Sequence, residues 1–263
     1  MKARLRPLAV IGLVRELRVG AGDRRPLAVA GASSLVLDAA RALRGDGDPS
    51  AVVETAEAHG VAALVWIGEP DKKALRVAAR SGVPIVAVTE HDRVPYVPAA
   101  SIVEIRPGEP FPVERVARCL AHELGEDGTA IAARLPVLRR AVVDQLIRSF
   151  SRRNGLIGAA VFIPGVDMPI LTFNQIRLVL RIAIAYDQEI GPSRALELIA
   201  VVGAGFGLRA AARELIGLVP IAGWALKGAI AYAGTRAVGN AARAYFDRVS
   251  AGSAVVAPAL ASA

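Results

Sequence analysis

Short apolar runs alternate with amphipathic stretches through the first half of the chain. The runs predict strands, whereas the stretches of three- and four-residue periodicity predict helices. The predicted strands are 26–31, 61–67, 84–89 and 101–105, and the predicted helices are 33–44, 50–59, 71–80 and 113–124. Continuous apolar strands between amphipathic helices favour a parallel sheet covered on both faces. Ligands of such sheets bind beyond the carboxyl ends of the strands, here near residues 31–34, 68–70 and 89–92.

The pattern becomes helical after residues 126–129, which we interpret as a hinge. The next helix is predicted over 130–153. Its apolar residues form one stripe, and several arginines lie off this stripe. The stripe consists of Leu135, Leu138, Val142, Leu146 and Phe150. Two interpretations fit this pattern. One is a helix lying in a membrane interface; the other is a packed helix with a solvated basic face.

Three strongly apolar stretches follow, at 155–173, 195–208 and 215–235. A spanning helix needs about 20 mostly apolar residues, and the third stretch meets this length without a central break. Small residues recur there at every fourth position: Ala225, Ala229, Ala233, Ala237 and Ala241. Such a face allows close helix association in lipid, although a soluble helix pair uses small residues in the same way.

These patterns define the predicted fold class. Residues 1–128 form a small α/β domain with a parallel sheet, Rossmann-like or P-loop-like but degenerate. Residues 129–249 form an all-α, apolar domain, and the Ala/Ser-rich residues 250–263 form a disordered tail. The segment before the first strand is predicted to be an amphipathic helix rather than a signal peptide, because it lacks a cleavage site.

Composition and charge point to a membrane for the second domain. Apolar residues make up 54% of the chain and the mean hydropathy is +0.43. Residues 1–129 contain 17 basic and 17 acidic residues, whereas residues 130–263 contain 15 and 7, which accounts for the net charge of +8. Basic residues beside apolar segments favour a cytoplasmic membrane, with the N-terminal domain in the cytoplasm. Nucleic acid is not expected as a partner, because aromatic residues do not interleave with the basic ones.

Catalytic and cofactor motifs are incomplete. The glycine-rich residues 201–213 resemble a dinucleotide loop, but Leu208 occupies the third glycine position and residues 221–233 contain no acid. After the first strand, Leu37 and Asp38 occupy the lysine and hydroxyl positions of a P-loop. Cys119 and His122 lie three residues apart without further ligands, which favours a buried cysteine beside a surface histidine. We therefore expect no catalytic residue, metal or cofactor, and no enzymatic activity.

Residues 50–92 resemble the later part of an Era-like GTPase domain. Thr89 and Asp92 match its guanine-specifying N/T-K-x-D motif, in which Glu90 here replaces the lysine. The switch strands and the D-x-x-G motif are missing. The resemblance implies a degenerate G domain, in which Thr89 and Asp92 are the candidate nucleotide contacts. Gly31, at the end of the first strand, is added as a candidate because backbone N–H groups there could bind an anion.

Residues 135–246 resemble the family of domains of unknown function numbered six hundred ninety-seven. The resemblance implies membrane association and frequent pairing with Era-like GTPase domains, but no agreed activity. At Asp187 this chain departs from the family, which usually has glycine there. Asp167 also suits a helix N-cap. The motif positions that carry the resemblance are Pro164, Asp167, Pro169, Gln175, Tyr186, Pro220, Gly228, Thr235 and Gly239.

The leading hypothesis is a non-enzymatic, membrane-associated protein. The degenerate G domain would be a cytoplasmic platform and the helices an anchor or oligomerisation domain. The expected partners are membrane lipids, a second copy through Gly/Ala helix faces, and a GTPase. Two alternatives are a guanine-nucleotide-responsive switch and a soluble helical interaction module.

Overall fold

The computed structural model describes residues 7–106, 108–160, 167–190 and 223–260. It divides into two compact units. We call Gly20–Gln145 the α/β unit, and Met1–Val19 together with Leu146–Ala263 the helical unit. These units group residues 129–145 with the sheet and residues 1–19 with the C-terminal helices, whereas the sequence predicts a domain boundary after residue 128.

The α/β unit contains one five-stranded parallel sheet in the order β2-β1-β3-β4-β5. Its strands are β1 (Leu27–Gly31), β2 (Val52–Glu54), β3 (Ala63–Ile67), β4 (Ile85–Thr89) and β5 (Ile102–Glu104). Its helices are α2 (Ser33–Arg44), α3 (Lys72–Arg80), α4 (Val113–Leu124) and α5 (Gly128–Arg134). The small parallel sheet predicted from the apolar runs is therefore confirmed.

Both faces of the sheet are covered, as the continuous apolar strands predict. Helices α2 and α4 pack on one face. On the other face, Leu75 and Ala78 of α3 join Val61, Val94 and other loop residues in an apolar cluster. Every residue of β3 and β4 is buried. The loops at the carboxyl edge of the sheet thus lie on a rigid apolar support.

The prediction of a helix over residues 50–59 is wrong. Asp48 accepts a hydrogen bond from the backbone N–H of Ser50 at 2.8 Å and begins a short 3₁₀ turn, Pro49–Ala51. The β-branched Val52 and Val53 then pair with β1. Strand pairing overrides the helical periodicity here, because a short apolar run fits either state.

The predicted helix 130–153 is divided. After α5, Leu135 takes an extended conformation, and α6 spans Pro136–Ala160. Proline lacks a backbone N–H and is tolerated in the first turn of a new helix. All five residues of the predicted apolar stripe are buried in the protein. The interpretation as a packed helix is therefore confirmed over the stripe, and the membrane-interface interpretation is wrong there.

Arg134, at the end of α5, connects three segments of the α/β unit. Its Nε donates to Asp48 Oδ2 at 2.9 Å, and its Nη atoms donate to Arg24 O at 2.9 Å and Ser50 Oγ at 3.1 Å. Its carbonyl accepts from the Asp48 N–H at 2.9 Å. The side chain is only 7% exposed. This arginine is one of the basic residues that give residues 130–263 their positive charge, but its contacts hold together segments of the α/β unit.

The helical unit is built from parts of α1 (Pro7–Ala21) and α6, together with α7 (Asp167–Ala185) and α8 (Gly223–Leu260). The predicted amphipathic helix at the N-terminus corresponds to α1, which buries Leu13, Val14 and Leu17. Its Glu16 pairs with Arg177 of α7 at 2.7 Å. Helix α8 continues to Leu260, so residues 250–260 are helical where the sequence predicts a disordered tail.

The alanine ladder of α8 lies on one helix face, as its spacing predicts, but the face is not the packed one. Ala225, Ala229, Ala233 and Ala241 are exposed, whereas Gly228 and Gly239 are buried. The predicted spanning stretch 215–235 lies partly outside the described residues. Within the part of the chain that the structure describes, no helix is long and apolar enough to cross a membrane.

Candidate functional site

Gly31 ends β1 in a conformation that the neighbouring strand requires. Its φ is +127°, and a Cβ at this position would lie 1.9 Å from Ile67 O of β3. The next residue, Ala32, donates its N–H to the same carbonyl at 2.9 Å. Glycine is therefore needed for the close approach of β1 and β3. The close approach of β3 is enough to require glycine at position 31, so a nucleotide is not needed to explain this residue.

The two other predicted nucleotide contacts lie at the end of β4. Thr89 is buried, and its Oγ1 accepts from the His91 N–H at 3.4 Å. Asp92 is exposed in the loop that follows. The structure thus places Thr89, Asp92 and Gly31 at the same carboxyl edge, on strands that β3 separates. The Thr89 hydroxyl already takes part in a turn, which leaves Asp92 as the accessible group.

His91 has a partner that the sequence did not reveal. Its Nε2 lies 2.8 Å from Glu69 Oε2, and the hydrogen bond and charge of Glu69 raise the pKa of His91. The Glu69 carbonyl accepts from Trp66 Nε1 at 2.9 Å, which fixes the loop after β3. The available signal in the sequence was that Glu69 and His91 each follow a predicted strand closely.

The carboxyl edge is acidic. Glu69, Glu90 and Asp92 all lie in its loops and are the negative charges that favour protonated His91. Negative charge disfavours a phosphate group at the same edge. Among the described residues, no group of three or more His, Cys, Asp and Glu side chains could hold a metal ion.

Cys119 and His122 do not form a site together in the structure. Cys119 is half-buried, its Sγ donates to Ala100 O at 3.5 Å, and burial raises the pKa of the thiol. His122 is an exposed side chain whose Nδ1 lies 3.7 Å from Glu123 Oε1. The pair therefore fits the interpretation of a structural cysteine beside a surface histidine.

In the helical unit, two predicted motif glycines lie in a close contact between α6 and α8. A Cβ on Gly228 would lie 2.9 Å from Gly155 O, and a Cβ on Gly239 would lie 2.6 Å from a side-chain carbon of Ile147. Gly158 is equally constrained, with Ala231 Cβ 2.8 Å from its added Cβ. The backbones of the two helices approach so closely that larger side chains would separate them.

Two further motif residues, Gln175 and Thr235, meet in a buried polar network. Thr235 Oγ1 accepts from Asn154 Nδ2 at 2.8 Å and from Gln175 Nε2 at 3.3 Å, and donates to Ala231 O at 2.9 Å. Asn174 Nδ2 donates to Asn154 Oδ1 at 2.8 Å. Asn154 and Thr235 are fully buried. The network joins α6, α7 and α8 and fixes their relative register.

Tyr186 closes the other end of α7. Its hydroxyl donates to Asp247 of α8, and its ring stacks on Phe246 with centroids 5.6 Å apart. The next residue, Asp187, has a left-handed φ of +56°. Asp187 N donates to Ile184 O and Gln188 N donates to Ala183 O, which is the Schellman arrangement. Glycine is favoured at this position, so the geometry explains why the resembled family usually has glycine there.

The remaining motif positions are described only in part. Asp167 is the first residue of α7 rather than the residue before it, so its predicted role as N-cap stays a prediction, and Pro169 is exposed in the first turn. Pro164 and Pro220 lie outside the described residues, and so does the glycine-rich stretch 201–213. The structure therefore brings Gln175 and Thr235 into direct contact. Tyr186, Gly228 and Gly239 lie on the same helices.

A comparison with known protein families supports the resemblance of the helical part of the chain. Residues 122–257 match the family described as Domain of unknown function (DUF697). The match covers more than half of the 263 residues, and the chain belongs to this family. No curated protein and no solved structure shows significant similarity to the chain.

Proposed function

We propose that this protein is a non-enzymatic, membrane-associated protein, in which the helical unit supplies the lipid contact and the α/β unit is a platform. The cytoplasmic face of a membrane is its proposed location. Membrane lipids are the proposed partner. A second copy and a GTPase are further proposed partners.

The observation that carries the proposal is the way in which the helices of the helical unit pack. Gly228 of α8 meets the carbonyl of Gly155, and the amide of Asn154 and the hydroxyl of Thr235 are buried between helices. Helices that associate in lipid use small residues for close approach and polar side chains for interhelical hydrogen bonds. A helix pair within a soluble module packs in the same way, so that alternative remains an outcome of the experiment.

The α/β unit supports a platform role better than a catalytic one. The position of Gly31 is explained by β3, the Thr89 hydroxyl takes part in a turn, and the loops around Asp92 are acidic. Strand β2 ends at Glu54, and the sequence Glu54-Thr55-Ala56-Glu57 has Glu at both positions where a D-x-x-G motif would require Asp and Gly. These features support a degenerate G-like domain.

A nucleotide-responsive switch is the second candidate. It is favoured by the strand order 2-1-3-4-5, which creates a topological switch point between β1 and β3, where doubly wound sheets bind ligands. Asp92 would then read the base. Titration of the full-length protein with GDP, with ADP as control, tests this candidate. Equal and negligible binding of both nucleotides would eliminate it.

The test of the leading proposal is fractionation of cells that produce the full-length protein. We expect the protein in the membrane pellet. Release by alkaline carbonate would indicate a peripheral contact, and retention until detergent is added would indicate integral attachment. A protein found wholly in the supernatant would overturn the proposal and leave the soluble interaction module.

A further inference from the structure

One end of the helical unit combines three helix ends. We call it the basic end; it comprises residues 152–160 of α6, 167–173 of α7 and 223–233 of α8. Asn154 Nδ2 lies 3.5 Å from Leu171 O, which places α6 beside the start of α7. A Cβ on Gly158 would lie 3.1 Å from Lys227 O, which places α6 beside the start of α8. The three segments therefore lie at the same end of the helical unit.

The basic end exposes large apolar side chains. Leu156 is 72% exposed, Ile170 46% and Leu226 38%. Helix α1 of the same unit also exposes Ile11 and Val19. Among the described residues of α6, α7 and α8, Leu156, Ile170 and Leu226 are the exposed large apolar side chains, one from each helix. Single exposed apolar residues are ordinary, but a set at one end of a bundle indicates a surface that contacts an apolar partner.

The charges of this surface favour an acidic partner. In sequence, the basic end contains Arg152, Arg153 and Lys227 against one acidic residue, Asp167. Arg152, Arg153 and Lys227 are exposed. At the opposite ends of α7 and α8 the charges are mixed, because Asp187, Glu189 and Asp247 are accompanied by Arg181, Arg243 and Arg248. The excess of basic over acidic residues is therefore found at the basic end.

We infer that the basic end docks on a membrane surface that carries acidic headgroups, with Leu156, Ile170 and Leu226 entering the acyl boundary. Arg152 and Lys227 face the headgroups. This inference rests on the proposed membrane function and adds which surface binds and which lipid chemistry it selects. Apolar insertion combined with electrostatic attraction to anionic lipids is the established physics of interfacial binding.

The sequence next to the basic end is also apolar. Residues 161–166, between α6 and α7, read VFIPGV, and residues 215–222, before α8, read LIGLVPIA. Neither segment contains a charged residue.

Co-sedimentation of the full-length protein with vesicles tests the inference. The vesicles are phosphatidylcholine alone, and an equal mixture of phosphatidylcholine and phosphatidylglycerol. We expect binding to the mixture, weakened by salt because exposed charges are screened. The double variant L156E/I170E should bind the mixed vesicles at least about tenfold more weakly than the unchanged protein. The double variant R152E/K227E should lose about fivefold or more in vesicle affinity for each of its two substitutions.

Matched variants in the α/β unit serve as controls. Leu37 is an exposed leucine of α2 and Lys72 an exposed lysine of α3. L37E and K72E should bind vesicles as the unchanged protein does. Circular dichroism must show that every variant is folded, which is expected because the changed side chains are exposed. Size-exclusion chromatography with light scattering measures self-association of the same variants.

The outcomes separate this inference from the proposed function. If the unchanged protein binds the mixed vesicles and both double variants bind equally well, the basic end is not the docking surface, although membrane association stands. If the variants abolish self-association and leave vesicle binding unchanged, the surface contacts a second copy and the inference is wrong. If the unchanged protein binds no vesicle, the inference fails together with the proposed function.

Discussion

The two units hold their elements in register by different hydrogen bonds. In the α/β unit, the central strands β3 and β4 are wholly buried, are apolar apart from Thr89, and pair through their backbones. In the helical unit, Asn154, Thr235 and Ser151 are fully buried between helices. A sheet gains its register from backbone hydrogen bonds, whereas helices satisfy their backbones internally. Their mutual register must therefore come from side chains.

The largest effect is expected from Gly31→Ala in the sheet. The added methyl group would lie 1.9 Å from Ile67 O at a φ of +127°, so β1 and β3 would have to separate. We expect a loss of more than about 4 kcal/mol of unfolding free energy, or failure to fold. Denaturant titration followed by Trp66 fluorescence, in a Trp224→Phe background, measures it.

Gly20→Ala is the matched control, because nothing lies within 4 Å of its added Cβ. It should change the unfolding free energy by less than about 0.5 kcal/mol. Equal stability of the two alanine variants would show that the close approach of β1 and β3 does not need glycine.

Asn154→Ala is the corresponding change in the helical unit. It removes the donor to Thr235 and the acceptor for Asn174, and it leaves space in a fully buried position between the three helices. We expect a loss of about 2–4 kcal/mol. Thermal unfolding followed by circular dichroism checks it.

A double-mutant cycle of Asn154→Ala with Thr235→Val should give a coupling of about 1 kcal/mol. Asn240→Ala, at an exposed position of α8, should have almost no effect. Strict additivity at Asn154 and Thr235 would contradict the role of the network in fixing helix register.

Arg134→Met tests whether a basic residue of the second half of the chain stabilises the α/β unit. The substitution removes the ion pair with Asp48 and the bonds to Arg24 O and Ser50 Oγ. We expect a loss of about 2–3 kcal/mol, measured by the same Trp66 titration. Arg76→Met, at an exposed position of α3, should be nearly neutral. Equal effects would show that Arg134 is an ordinary surface residue.

Asp48 gives the same contact a pH dependence. Hydrogen bonds from Ser50 and Arg134 lower its pKa to about 2 from 3.8. Because the folded pKa lies below the unfolded one, the stabilisation is present above about pH 4 and is lost as the pH falls towards 2. Asp48→Asn should therefore flatten the decline of stability in this window. An unchanged acid limb would contradict the assignment.

The smallest effect is expected at the end of α7. Asp187 has a φ of +56°, a conformation in which glycine is not strained. Asp187→Gly should raise the unfolding free energy by about 0.5–1 kcal/mol, and Asp187→Ala should not. A lower melting temperature for the glycine variant would show that the aspartate side chain itself contributes there.

The sequence predicts the elements of this protein better than their contacts. The continuous runs identified β1, β3, β4 and β5, but β2 was missed because Val52 and Val53 stand in a stretch that also fits a helix. The break at Pro136 was missed because the apolar stripe keeps its phase across it. The alanine ladder of α8 predicted a closely packed helix face, but the packed face is the one that contains Gly228 and Gly239, and the sequence did not indicate that α6 is its partner.

The polar network could not be predicted, because Asn154 and Thr235 are 81 residues apart and no local pattern connects them. The pair of Glu69 and His91 is an intermediate case. Each residue follows a predicted strand, so the shared sheet edge was foreseeable. The adjacency of the two strands was not, because strand order depends on the whole fold.

The central claim is that the helical unit contacts a membrane through its basic end. The environment of residue 156 in the presence of a membrane tests this claim most directly. An environment-sensitive dye is attached at Leu156→Cys in a Cys119→Ser background, and a second protein carries it at Glu189→Cys, beyond the opposite end of α7. On adding vesicles that contain phosphatidylglycerol, we expect a blue shift and brighter emission at position 156 alone. No shift at either position, or equal shifts at both, would contradict a membrane contact made through the basic end of the helical unit.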